Sequence, residues 1–332
     1  MQQVAVLGLG LIGTSIGLGL RQWAATQQPA VPLSVVGYDA DLNRQRQAKA
    51  MKAIDVEARD LPAAVRAADL VILAVPIGQM AEVMGDCAPH LKAGATVTDV
   101  ASVKAPVLAW ARERLPATVS FVGGHPMAGG TGSIDAARAD LFVNARWCVV
   151  PSVRASEAAI ELVLGLAAAL GARAYFVDAS EHDGLVAAIS HLPFTVAAAL
   201  TKAVTDDPAW REMKLLAAGG FRDTTRLAEG SPVMHRDIAI ANAAALARWL
   251  DQLIAELGRA RDLVAAGDGA ALLRYFEETQ DQRLRWRVER EREAETGNGG
   301  EPSLPEVPSL GESMQQMFFG GLARRRRDGD KR

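Results

Sequence analysis

The sequence predicts an α/β chain, a doubly wound parallel sheet followed by an all-α domain. Two observations carry this. Up to about residue 178, short apolar runs alternate with helical periodicity; from Ser180 to about Glu295, only helical periodicity remains. A third observation locates the chemistry. A glycine turn (Gly8-Leu9-Gly10-Leu11-Ile12-Gly13), a serine (Ser102) and a histidine (His125) each follow an apolar run. Open α/β sheets bind ligands along the carboxyl edge of their strands. Parallel strands would therefore bring these three features into one crevice.

The elements follow in order. Residues 3–8 read as a buried strand, Ile12 to Trp23 as a helix, and Leu33 to Tyr38 as a strand ending at Asp39. Arg44 to Ala53 is helical, and Asp69 to Val75 is an apolar strand stopped by Pro76. Such unbroken runs suit parallel strands covered on both faces. Ala95 to Val100, Ser120 to Gly123, Ala145 to Val150 and Ala172 to Val177 complete the sheet, with a helix over Ser156 to Leu170. In the second half, Ser180 and Asp183 resemble a capping box, and Pro193 should kink its helix. Ile238 to Ala266 reads as one long apolar helix and Leu272 to about Glu293 as a charged one. Such apolar helices, with few partners of their own, predict a homodimer through this domain rather than a self-contained bundle. The expected organisation is 1–178 (dinucleotide-binding), 179–295 (helical) and 296–332. The last stretch reads as a disordered linker and a tail carrying Met314, Phe318, Phe319 and Arg324 to Arg327.

Bulk properties narrow the class. The chain has 332 residues, 49% hydrophobic and 23% charged, and a net charge of −3, so nothing favours nucleic acid or an anionic membrane. Two cysteines, Cys87 and Cys148, make no disulfide framework and read as buried thiols of a reducing compartment. No basic leader is evident, and no apolar run is read as reaching the ~20 residues of a membrane span. The expectation is a soluble, cytoplasmic protein.

In the glycine turn, Gly8 permits the tight bend, Gly10 lets a pyrophosphate approach, and Gly13 lets helix and strand pack closely, the Rossmann-type fingerprint. The helix N-terminus, with Leu11 and Ile12, supplies free N–H groups. Val75 and Pro76, at another strand end, are further cofactor contacts. Asp39 can bind the ribose 2′-hydroxyl of NAD and repel a 2′-phosphate, though Arg44 and Arg46 lie close by; NAD is expected, NADP less so. Ser102 either caps a helix or lines the nicotinamide site, and Lys104 is a surface charge or part of that site. His125, between glycines and a proline, has the chemistry to remove a hydroxyl proton as hydride leaves the same carbon; the alternative is a satisfied turn histidine. His182 and His191, nine residues apart, would lie on opposite helix faces and share no metal site. No other spacing suggests a metal. In Gly219-Gly220-Phe221-Arg222-Asp223-Thr224-Thr225-Arg226, an arginine can clamp a carboxylate, or the motif is a helix start with local ion pairs.

Together, GLGLIGTS at 8–15, TDVASVK at 98–104, GGHPMAG at 123–129, SHLP at 190–193 and GGFRDTTR at 219–226 resemble the prephenate/arogenate dehydrogenase family of tyrosine biosynthesis. The resemblance covers about residues 3–290. It implies that His125 is catalytic and that Ser102 keeps hydroxyl, imidazole and nicotinamide in register. It further implies that Arg226, supported by Asp223, binds a substrate carboxylate, and that Ser190, His191 and Gly219 line the substrate pocket. The implied reaction is NAD-dependent oxidative decarboxylation without a metal.

The chain departs from the family pattern in places. Phe194 stands where many relatives have a second histidine, His235 where many have tryptophan, and Thr131 where some are acidic. The lost histidine and the LFVNA run at 141–145 lean toward the arogenate branch. Residues 296–332 are too short for a regulatory domain. Two rivals remain. One is a β-hydroxyacid dehydrogenase, with Lys202 or Lys214 as the catalytic lysine. The other is a non-catalytic dinucleotide sensor.

Overall fold

A computed structural model of the chain describes residues 2–28, 32–130 and 132–296. The linker and tail expected beyond 296, and Thr131, lie outside the described residues. Eight strands form one sheet: β1 (Gln2–Leu7), β2 (Leu33–Tyr38), β3 (Val56–Glu57), β4 (Leu70–Leu73), β5 (Thr96–Asp99), β6 (Ser120–Pro126), β7 (Arg146–Pro151) and β8 (Arg173–Phe176). Their order is β3-β2-β1-β4-β5-β6-β7-β8. The first six helices are α1 (Leu11–Gln27), α2 (Leu42–Ala50), α3 (Leu61–Val65), α4 (Ile77–Cys87), α5 (Ala105–Arg114) and α6 (Glu157–Ala169).

The unbroken apolar runs have a simple cause. Ala5, Leu7, Val71, Leu73 and Val97 face one core, while Val4, Val6, Leu70 and Ile72 face the other. Helices cover both faces, so alternation has nothing polar to show. The chain leaves β1 toward β2 and β3, then crosses to β4 on the other side. That reversal opens the crevice at the carboxyl ends of β1 and β4.

The sheet is mostly parallel, with one exception to the expected pattern. β7 runs antiparallel to β6, and β8 is parallel to β7. Between β6 and β7 the described chain carries only a short 3-10 turn, Ile134–Ala136, and no crossover helix, so it returns in the opposite direction. Pairing with β7 also carries β6 beyond Gly123. His125 is therefore inside the strand, opposite Cys148, rather than in a loop after it.

The helical half comprises α7 (Ala179–Val186), a π turn (Ala187–His191), α8 (Leu192–Thr205), α9 (Trp210–Leu216), α10 (Gly219–Thr225), a 3-10 turn (Arg226–Glu229), α11 (Pro232–Ala241), α12 (Ala243–Ala266) and α13 (Gly269–Thr296). Two expectations change here, and the distortion expected at Pro193 takes a particular form. The cap of α7 is Asp178, which accepts from the Ser180 and Glu181 N–H groups; Asp183 is committed elsewhere, so Ser180 and Asp183 make no capping box. Pro193 has no N–H for the turn before it, and the helix answers with the π turn at 187–191. The long helix expected from Ile238 is interrupted at Asn242, which leaves helical geometry at φ −120° and ψ 33°.

The continuous helical stretch Ala179–Thr205 has a mean hydropathy of 1.6 over its most apolar window, enough in length and composition to cross a membrane. This differs from the expectation that no apolar run reaches the length of a membrane span. The stretch carries His182, Asp183 and His191 inward, all buried, but only 28% of that window is buried, and Leu185 and Ile189 are exposed. By contacts the chain forms two compact units, Met1–Leu246 and Ala247–Arg332. Every site residue discussed below lies in the first.

Candidate active site

The carboxyl edge of β1, β4, β5 and β6 builds the site. At the end of β1, Gly8 adopts φ +93°, and a Cβ there would fall 2.4 Å from the Ala74 carbonyl oxygen at the end of β4. Any side chain would push these two strand ends apart. A Cβ on Gly13 would come within 1.9 Å of the Gly8 oxygen, so α1 can approach the turn only with glycine there. A Cβ on Gly10 meets nothing within 4 Å: the space in front of the turn is open. No side chain caps α1, whose first turn holds Leu11 and Ile12. Open space before uncapped N–H groups fits a dinucleotide pyrophosphate.

Asp39, at the end of β2, is 8% exposed. Its Oδ2 accepts from the Leu9 N–H at 2.7 Å and its Oδ1 from the Asp41 N–H at 2.8 Å. The carboxylate thus braces the glycine turn from within, and its charge opposes a second phosphate. Val75 packs on the core beside the turn, and Pro76 starts α4.

The chemistry gathers at β5 and β6. Asp99 is fully buried and accepts from the Ala101 N–H at 2.9 Å, the Gly124 N–H at 3.1 Å and the Lys104 ammonium. Lys104, equally buried, also donates to the Gly124 carbonyl at 2.7 Å. This ion pair knots the loop bearing Ser102 to the strand bearing His125. Lys104 is therefore not the surface charge that sequence left open. Burial lowers its pKa, against the pull of Asp99.

His125 is 8% exposed, and its Nδ1 lies 2.9 Å from Nε2 of His182. Nδ1 of His182 lies 2.8 Å from Oδ1 of Asp183. Asp183 also accepts from the Lys104 N–H at 2.7 Å and the Ala105 N–H at 2.9 Å. Burial first, then the positive charge of Lys104 and the neighbouring imidazoles, hold His125 well below the usual histidine value.

His191 is fully buried, and its Nδ1 lies 3.2 Å from the Asn242 amide nitrogen, which also donates to the Asp183 carbonyl at 2.8 Å. Nε2 of His191 has no hydrogen-bond partner among the described residues. Its pKa falls to about 4, chiefly through burial; Asp183 and the backbone of Ser102 oppose the fall. His182 and His191 do not lie on the opposed faces that 3.6-residue spacing gives: the π turn takes more residues per turn and brings both to the Asp183 cluster. Among the described residues no group of three or more His, Cys, Asp or Glu could hold a metal ion.

The remaining expected residues spread outward. Ser190 is half-buried on the π turn beside His191. Phe194 stacks on His235 with centroids 4.2 Å apart and planes 2° from parallel, so two departures from the family pattern touch each other. Gly219 opens α10, and Asp223 pairs with its exposed neighbour Arg222 at 3.0 Å rather than with Arg226. Arg226 is exposed at the start of a 3-10 turn that packs on α8. The LFVNA run is structural. Phe142 is fully buried, edge-on to Trp147 at 5.6 Å, and Asn144 turns the chain at φ +63°.

Sequence reasoning missed His182, Asp183, Asp99 and Asn242.

A dinucleotide crevice beside a buried imidazole defines a nicotinamide-dependent dehydrogenase. Comparison with known proteins is more specific. Residues 24–176 match the nucleotide-binding domain of prephenate dehydrogenase, and residues 178–278 match its dimerization domain. The chain is 35% identical to prephenate dehydrogenase of Bacillus subtilis, over 84% of this chain and 75% of that one. Among solved structures, prephenate dehydrogenase from A. aeolicus, in complex with hydroxyphenyl propionate and NAD+, superposes with a TM-score of 0.78 at 26% identity, covering 86% of this chain and 98% of that one. Synechocystis arogenate dehydrogenase gives 0.71 at 30% identity, covering 86% of this chain and 100% of that one. The chain belongs to the prephenate dehydrogenase family.

Proposed function

We propose that this protein uses NAD+ to convert prephenate to 4-hydroxyphenylpyruvate, or arogenate to tyrosine, by oxidative decarboxylation. The observation that carries the reading is His125, buried at the same sheet edge as the glycine turn. Bound NAD+ supplies the hydride acceptor for ring C4. His125 accepts the proton of the 4-hydroxyl as that carbon becomes a carbonyl. Ser102 keeps that hydroxyl in line. The resulting dienone takes up the electron pair of the C1–carboxylate bond. Carbon dioxide leaves, and aromatisation makes the step irreversible.

Arg226 binds the ring carboxylate in this reading. Ser190, Gly219 and His191 line the substrate pocket, with Asp223 at its margin. The cofactor is held by Gly8, Gly10, Leu11, Ile12, Gly13, Asp39, Val75 and Pro76. The enzyme acts as a cytoplasmic homodimer through its helical domain. The two substrates differ only in a keto or amino group on the side chain, away from the reacting carbon, so the same His125 chemistry serves both.

A lysine-based β-hydroxyacid mechanism is disfavoured. Lys202 is exposed and bonded to Asp206, which raises its pKa, the wrong direction for a base. The test is direct. With NAD+ and either substrate, NADH and CO2 should form in equal amounts; NADH from neither substrate would remove the proposal.

A further inference from the structure

We infer that Asp183 and His182, braced by Lys104, act as positioning residues that fix the tautomer of His125, so that Nδ1 carries the proton and Nε2 is the base. The inference rests on the reading of His125 as the group that takes the substrate proton.

The argument starts at the carboxylate. Asp183 Oδ1 accepts from the Lys104 N–H at 2.7 Å, and Oδ2 accepts from the Ala105 N–H at 2.9 Å. An ionised carboxylate has no proton to give, so the 2.8 Å contact with His182 needs a proton on His182 Nδ1. A neutral imidazole carries one N–H, so His182 Nε2 is an acceptor. The 2.9 Å contact with His125 then needs a proton on His125 Nδ1. The lone pair that remains on His125 is on Nε2.

His125, His182 and Asp183 are 8%, 1% and 6% exposed, so water does not compete for these bonds. In the reaction, the substrate O–H bond breaks and an Nε2–H bond forms. The O–H electron pair becomes the second bond of the C4 carbonyl as hydride departs. His125 is then an imidazolium whose Nδ1–H bond to His182 is charge-assisted, with the Asp183 anion at the far end. No second proton has to move.

Lys104 sets the frame. Its ammonium holds the carbonyl of Gly124, the residue before His125, and its own N–H holds Asp183. The charged and titratable groups around His125 are Lys104, His182 and His191, with Asp183 and Asp99 behind them and Cys148 opposite on β7. Burial, then Lys104, disfavours the protonated form of His125.

Nitrogen-15 NMR of the histidine-labelled enzyme, assigned with His125→Asn, tests this without altering the relay. The expected result is His125 protonated at Nδ1 at neutral pH; protonation at Nε2 overturns the inference. Asp183→Asn supplies the kinetic arm. The amide removes the anion at the far end of the relay and sets an NH2 against the backbone N–H of Lys104 or Ala105, so the hold on His182 Nδ1–H is weakened. We expect kcat to fall roughly 10²–10⁴-fold, with KM and NAD+ affinity within a few-fold and partial recovery in Asp183→Glu. A folded Asp183→Asn enzyme within a few-fold of normal kcat overturns the relay. If that variant does not fold, the NMR of the unaltered enzyme decides. Should His125→Asn itself turn over normally, the reading of His125 fails, an outcome distinct from failure of the relay alone.

Discussion

At the residue scale, His125 owes its chemistry to where it is buried. Burial and the nearby Lys104 charge push its pKa down, so the acid limb of kcat/KM should fall below pH 6.5; a limb above that value would contradict the assigned surroundings. Lys104→Met should move the limb upward, because removing the cation favours imidazolium. Gly124 is the adjoining constraint. A Cβ there would lie 2.5 Å from the Asp99 carbonyl oxygen and 2.9 Å from Trp147 Nε1. Backbone on one side and a buried indole on the other cannot both yield, so Gly124→Ala should lower Tm and kcat together; a variant normal in both would show that β6 can shift.

Residues whose role is local were legible in the sequence. The glycine turn and His125 sit among their own defining neighbours. His182 was not legible, because its partner is 57 residues away and its phase relative to His191 depends on a π turn that 3.6-residue counting passes over.

At the element scale, α7 is the part that brings the relay to the sheet. Asp178 caps it by accepting from two N–H groups. Asp178→Ala should cost about 0.5–2 kcal/mol in denaturant unfolding and loosen the His182 contact, lowering kcat more than NAD+ affinity. An unchanged midpoint would mean that packing alone holds the helix. The parallel strands were readable because both faces are covered and the apolar runs are unbroken. The antiparallel β7 was not, since strand direction is set by the connection and not by the strand's own residues. The break at Asn242 was hidden likewise: alanine-rich sequence runs through it, while its amide is drawn to Asp183 and His191.

At the scale of the whole molecule, two consequences stand out. First, His125 and His191 are both depressed. The unfolded chain gains protons as pH drops through about 6.5, where the native one does not. Stability conferred by these rings is present above that pH and lost below it, for His191 as pH falls to about 4. Urea midpoints should decline across that window, and a flat profile would contradict the burial of both rings.

Second, α12 and α13 leave Ile254, Leu257, Val264, Leu273 and Phe276 between 59% and 65% exposed. A lone chain gains nothing by presenting that much apolar surface to water. Sedimentation should give a dimer of the 35.2 kDa chain, and a monomer at micromolar concentration would contradict the expected assembly.

The central claim is that His125 takes the proton from the ring hydroxyl while NAD+ takes the hydride. Steady-state turnover of His125→Asn, with NAD+ affinity measured alongside, tests it most directly. The account predicts kcat lower by roughly 10²–10⁴-fold with NAD+ binding intact. Turnover within a few-fold of the unaltered enzyme would contradict it.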